Sequence, residues 1–152
     1  MKVLAENKRA FHNYEILERF TAGISLLGQE VKSIRTRGVG LAGSYVIIRQ
    51  NEVFWVGAKI SPYQPKNAPP DYNPERSRKL LLNKSEIKYL IGKSRQRGLT
   101  LLPLKVYTKG SKIKLEVGLA RGRRKVDKRE RIKRREFERK RKILLKIRGR
   151  TA

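Results

Sequence analysis

Cysteine is absent from the 152-residue chain, and histidine occurs once, as His12. No disulfide framework, thiol nucleophile or Cys-containing zinc site can therefore be built. A single imidazole excludes metal sites made of several histidines, and any His-based triad would have to use His12. There is no P-loop, and GVGLAG at 38–43 lies between a helical and a strand pattern, the wrong order for a dinucleotide-binding turn. Glu30 has no evident carboxylate partner, so paired-acid chemistry has no seat. No catalytic residue, cofactor or metal is expected. Long apolar runs are missing too: none approaches the roughly 20 residues of a membrane span, and the opening MKVLAENKRAF has no secretory apolar stretch. The expectation is a soluble, cytoplasmic protein.

Negative charge is the scarcest commodity. Only 13 Asp and Glu face 39 Lys and Arg, a net charge of +26, and half of that excess lies beyond Gly118, where 17 bases meet 4 acids. A segment so densely charged repels itself until an anion neutralises it, and the anion with closely spaced fixed charge is a nucleic acid. A membrane anchor would need a wide apolar face, which the segment lacks. Residues 1–118 are basic as well, with 22 bases against 9 acids. Aliphatic and aromatic residues cluster before Gly118, sufficient for one modest core. The expected division is a body over 1–120 and a basic tail over 121–152.

Local patterns outline a mainly β body. From Tyr14 to Leu27 the chain reads as extended, with a bend at Thr21-Ala22-Gly23. Val31 and Ile34 stand three apart before Gly38, which predicts a short helix over about 28–36. SYVIIR and VFWVGAKI form a hairpin around Gln50-Asn51-Glu52, and residues 61–75, with five of the six prolines, read as a loop. A second helix has Asn83 as its cap, Glu86 at the third position of a capping box, Ile87, Leu90 and Ile91 at helical spacing, and Gly98 as its stop. Two strands follow. Leu102, Leu104 and Val106 alternate with Pro103, Lys105 and Tyr107; Ile113, Leu115, Val117 and Leu119 alternate with Lys112, Lys114, Glu116 and Gly118. Each should have one apolar face and one wet or bound face, with Pro103 at an edge or bulge. About six short antiparallel strands and two short helices predict a small, closed or partly closed barrel.

In the tail, Asp127, Glu130, Glu136 and Glu138 each precede a base by four residues. Such pairs stabilise a helix by roughly 0.2–0.5 kcal/mol each, against repulsion among the remaining cations. The apolar residues make no continuous stripe. The tail is therefore expected to be disordered alone and helical when bound to RNA. In the body, Tyr14, Tyr45, Tyr63, Tyr72, Tyr89, Tyr107 and Trp55 are interleaved with bases, a pattern suited either to a core or to stacking on unpaired nucleotides. Trp55, within VFWVG, reads most strongly as core. Glu30, beside Lys32, Arg35 and Arg37, is either a local charge balance or an acceptor for base amino groups. On the second reading, Glu30→Ala weakens RNA binding with little change in fold. Arg76, Arg78, Lys79, Lys84 and Lys88 bracket the start of the second helix, as solvated surface or as phosphate contacts.

The order NKRAFHNYEI, TAGISLLGQEVKSIR, SYVIIR, ISPY, NPERSRKLLLNKSEI, GLTLLPLKVY and GLARGRRKVDKRE resembles the SsrA-binding protein family (small protein B), from Asn7 to about Glu138. The resemblance implies a barrel of the oligonucleotide-binding type that binds the tRNA-like domain of transfer-messenger RNA (tmRNA). It implies a tail that enters the empty mRNA channel and decoding centre of the small ribosomal subunit, and a monomer that works with elongation factor Tu carrying alanyl-tmRNA. It places RNA contacts at Glu30, Lys32 and Arg35, at Arg78, Lys79, Leu81, Leu82 and Lys84, and at Arg123 and Arg124. Ribosome contacts fall in the tail at Asp127, Lys128, Arg129, Lys133, Arg134 and Lys140. Val126 stands where the family commonly has an aromatic residue or His, so a stacking role there is in question. The rival readings are a structural ribosomal protein and a general basic RNA binder.

Overall fold

The computed structural model describes residues 1–67 and 69–123, together with Arg135 and Arg139. Arg124, Val126, Asp127, Lys128, Arg129, Lys133, Arg134 and Lys140 lie outside the described residues. The chain divides after Gly122 into two units, Met1–Gly122 and Arg123–Ala152.

Among the described residues the first unit has seven strands: β1 (Lys2–Glu6), β2 (Tyr14–Ile24), β3 (Tyr45–Arg49), β4 (Glu52–Val56), β5 (Arg78–Leu81), β6 (Leu99–Lys109) and β7 (Lys112–Gly122). Its helices are α1 (Lys8–Asn13), α2 (Gly28–Arg37) and α3 (Lys84–Ser94). The strands make one antiparallel sheet in the order β1-β6-β7-β2-β5-β4-β3. β3 comes back against β6, so the sheet curls into a partly closed barrel. Trp55, Ile60, Leu80, Leu90, Leu115 and Val117 fill it, with α2 contributing Ile34.

Sequence expectation and structure differ at both ends of the chain's first and last strand pairs. The count rises to seven strands and three helices because β1 and α1 carry only weak local signals. β1 is a half-exposed edge strand, and α1 is one short turn-and-a-half whose Asn7 side chain accepts from the Ala10 N–H at 3.3 Å. No bend divides β2 at Thr21 to Gly23; the strand runs through, and Gly23 instead allows Leu81 to approach, since a Cβ there would lie 3.2 Å from that of Leu81. α3 ends at Ser94, before Gly98, which takes positive φ in the following turn. Pro103 sits beside a bulge in β6, opposite Val117, with Leu104 the residue that has no partner in the β7 register. The second face of β6 and β7 is not wet throughout. α1 packs on β2 and β6, and Ala10, Leu104 and Ala120 are buried outside the main core. Gly118 belongs there too: a Cβ on it would meet Leu104 Cδ1 at 2.8 Å.

The two longer helices close opposite ends of the barrel. α2 follows the end of β2 and meets the β6–β7 turn, where Arg35 Nη2 donates to the Ser111 carbonyl at 2.6 Å. α3 reaches the first half of β2: Tyr89 Oη donates to Glu18 at 2.6 Å, and its ring centroid lies 6.1 Å from that of Phe20. β7 runs from the α2 end to the α3 end, where the first unit ends at Gly122.

Candidate nucleic-acid interface

Glu30 has no exposed surface at all. It lies in the first turn of α2, where its Oε1 accepts from the Leu27 N–H at 2.9 Å and so satisfies one free donor of the helix start. Arg76 pairs with the same oxygen. Oε2 accepts from Arg78 Nη2 at 2.6 Å, Arg78 Nε at 2.9 Å and Tyr72 Oη at 3.1 Å. Arg78 is equally buried and spends its other donors on the carbonyls of Ala58, Pro74 and Arg76. The single Tyr72 hydroxyl proton is shared between Glu30 and the Ile60 carbonyl, 2.8 Å from Oη, and Arg76 donates to the carbonyl of Ser25. One carboxylate thus ties α2 to both ends of the proline-rich loop. A buried ion pair stands only when its remaining donors and acceptors are satisfied, and here they are.

Burial alone would raise the Glu30 pKa, but hydrogen bonds from Arg76, the Leu27 N–H and Arg78, with the Arg78 charge, hold it below the usual carboxylate range. Tyr72 moves the other way, pushed up by burial and by the Glu30 charge beside it, and stays a neutral donor. The unfolded chain therefore takes up the Glu30 proton more readily than the folded one. The stabilisation is fully present above about pH 5 and is lost as pH falls through the depressed folded value. The urea midpoint is expected to be flat above about pH 5 and to fall steeply below about pH 4, with a shallower fall in Glu30→Gln. Equal slopes for the two proteins would show that other carboxylates control acid unfolding.

The surface beside this knot is of a different kind. In β5 the alternation is inverted: Arg78 and Leu80 point inward, and Lys79 and Leu81 outward. Leu81 is 56% exposed and lies over a shallow cavity of about 330 Å³ lined by Gly23, Ile24, Leu26 and Val31, and by Ser111, Lys112, Ile113 and Lys114 from the β6–β7 hairpin. Leu27 is 45% exposed nearby in sequence, at the entry to α2. The floor of this groove is apolar and its rim carries Lys112 and Lys114. Lys79 is exposed on the same strand, loosely paired with Glu52 at 3.4 Å. An apolar floor suits the faces of nucleotides, and a lysine rim suits their phosphates.

The sequence pattern described as "SmpB protein" matches residues 4–147. A curated relative, the SsrA-binding protein of Microcystis aeruginosa, is 48% identical over 139 residues, covering 91% of this chain and 90% of its own. That of Magnetococcus marinus is 45% identical over 145 residues, covering 95% and 96%. The chain belongs to the SmpB family. A chain in a solved structure described as "tmRNA-SmpB: a journey to the center of the bacterial ribosome" superposes with a TM-score of 0.67 at 43% identity, covering 87% of this chain and 95% of that one.

Within this SmpB-family barrel the residues singled out from sequence separate into two sets. Lys32, Arg35, Lys79, Leu81 and Lys84 are exposed, and Leu82 is half-buried against the core. Leu81 lies with Val31 of α2, Lys32 and Arg35 are on α2, the Lys79 ammonium reaches Glu52, and Lys84 stands at the start of α3 beside Asn51 and Lys88. Glu30 and Arg78 are not surface residues. The sequence reading expected an RNA contact at each; the structure places them beneath the surface as a buried pair. Trp55 is core, donating to Ser44 Oγ at 3.0 Å, and Tyr107 is buried against Thr21. Sequence reasoning missed Lys112 and Lys114. Their signal was the polar half of the β7 alternation, but only the pairing of Gly23 with both Leu81 and Lys114 brings them to the exposed leucine.

Proposed function

We propose that this chain is the protein adaptor of trans-translation. Its body binds the tRNA-like domain of tmRNA through the Leu81 groove, and its basic tail occupies the empty mRNA channel and decoding centre of a stalled ribosome. The carrying observation is Leu81, an exposed leucine on a strand whose arginine faces inward, set above an apolar hollow with Lys112 and Lys114 on its rim. The register that buries Arg78 and Leu80 leaves Leu81 exposed beside two cations. It places apolar and cationic groups where a folded RNA presents base faces and phosphates. The adaptor is non-enzymatic: alanylation and GTP hydrolysis are left to other proteins, with elongation factor Tu carrying the alanyl-tmRNA. It acts in the cytoplasm as a monomer.

The test is a competition titration at near-physiological salt, the tRNA-like half of tmRNA against excess bulk tRNA, recording the salt slope of each. The expected result is a clear preference for the former, with a slope of about −0.7 to −0.9 per phosphate contact. Leu81→Glu combined with Lys114→Glu is expected to weaken that binding at least about tenfold, because it removes an apolar contact and repels the phosphates. Its melting temperature should stay near that of the parent, since Leu81 is 56% exposed and fills no part of the core. Equal binding to both RNAs would mark a general basic RNA binder or a ribosomal component instead.

A further inference from the structure

A second hollow lies on the other flank of α2. It is a slot of about 290 Å³ between Gly28, Gln29 and Lys32 of the helix and Tyr63 and Gln64 of the proline-rich loop. We propose that this slot takes a single unpaired nucleobase of the bound RNA, stacked on Tyr63 with its phosphate drawn to Lys32. The proposal rests on the RNA-adaptor reading above and adds a base-reading element to it.

The residues supply what such a ligand needs. Tyr63 is half-buried, and Lys32 Nζ stands 5.9 Å from its ring centroid, so an aromatic face and a cation share one small space. Stacking on a tyrosine is tolerant of base identity, whereas the amide of Gln29 offers both donors and acceptors to a base edge. The volume lies at the lower limit of small-ligand sites, about 300 Å³, which suits one heterocycle rather than a base pair. A Cβ built on Gly28 meets nothing within 4 Å, so the helix side of the slot is open.

The loop wall is held in place before any ligand arrives. Ser33 Oγ donates to the Ser61 carbonyl at 2.6 Å, and Arg37 Nη1 to that of Pro62 at 3.3 Å, the two residues just before Tyr63. Tyr72 fixes Ile60 in the same way from the Glu30 knot. A ring presented on so restrained a backbone costs little ordering on binding. Val31 lines the Leu81 groove while Gly28 and Lys32 line the slot, so one RNA lying across α2 reaches both.

Two variants of the full chain test the slot against the tRNA-like half of tmRNA. Tyr63→Ala is expected to weaken binding about tenfold with an unchanged salt slope, because stacking releases no counterions. Tyr63→Trp is expected to keep the affinity and to lose indole emission as RNA is added, beyond any change from the buried Trp55 of the parent. That quench decides the matter, since a merely structural tyrosine would not produce it. If the parent shows its preference for the tRNA-like half and the Tyr63→Trp emission is unquenched, the slot is wrong and the adaptor reading stands. If the parent shows no preference, the adaptor reading falls and the slot falls with it.

Discussion

Replacing Glu30 with alanine is expected to destabilise the body by about 3–5 kcal/mol, the usual result of stripping one partner from a buried ion pair. Arg78 would be left with no exposure, a full positive charge and only the carbonyls of Ala58, Pro74 and Arg76 for company. Tyr72 would lose one of its two acceptors, and the Leu27 N–H its side-chain partner. Domains of this size hold about 5–15 kcal/mol in all, so the loss is a large fraction of the whole. The melting temperature should drop by roughly 10–20 °C. Glu30→Gln keeps the shape and one acceptor oxygen but not the charge, and should fall between. RNA binding would weaken in Glu30→Ala because the wall of the groove and slot loosens, which a fold that scarcely changes would not explain. Thermal unfolding read by circular dichroism checks this, and a shift of under about 2 °C would refute the buried-knot account.

Removing residues 127–152 is expected to abolish tagging of nascent chains while leaving binding to free tmRNA within about tenfold of the parent. The segment carries 13 bases and 4 acids, so the shortened chain still has a net charge of +17 and keeps every residue of the Leu81 groove. Long-range attraction to RNA therefore survives. What disappears is a stretch in which each acid stands four residues before a base, the favourable order for helix formation. Arg135 and Arg139, the described residues of that stretch, are helical and exposed, and their spacing puts both cations on one face. The measurements are a titration of the tRNA-like half and a reconstituted tagging reaction with stalled ribosomes. A truncated chain that cannot bind free RNA would overturn the division of labour between body and tail.

What could be read from the sequence was local. Glu86 accepts from the Asn83 N–H at 3.2 Å as the capping box requires, and Gly38, with φ of 76°, closes α2 through its N–H to the Ile34 carbonyl. The Gln50-Asn51 turn, with both residues at positive φ, sets the β3–β4 register. What could not be read was which side of a strand faces in. RKLL looks like two cations followed by two core leucines, and hydropathy gives no reason to bury Arg78 and expose Leu81. The deciding partner, Glu30, is 48 positions away in sequence and meets Arg78 only after α2 docks. The groove depends likewise on three strands meeting at Gly23. Composition pointed to a polyanionic partner; only the tertiary pairing brings Leu81 beside Lys114.

β7 is eleven residues long, and its two ends serve different purposes. Lys112 and Lys114 sit at its first residues, on the rim of the groove, and Gly122 at its last, where the body ends. At about 3.3 Å per residue these ends stand roughly 30 Å apart. Physiological salt screens charge over about 8 Å, so the interval is nearly four screening lengths. The root of the tail consequently feels almost none of the field of an RNA seated in the groove. If an RNA fills the groove as proposed, β7 works as an insulating spar: neutralising the lysines at one end leaves the charge beyond the other undiminished for a second polyanion.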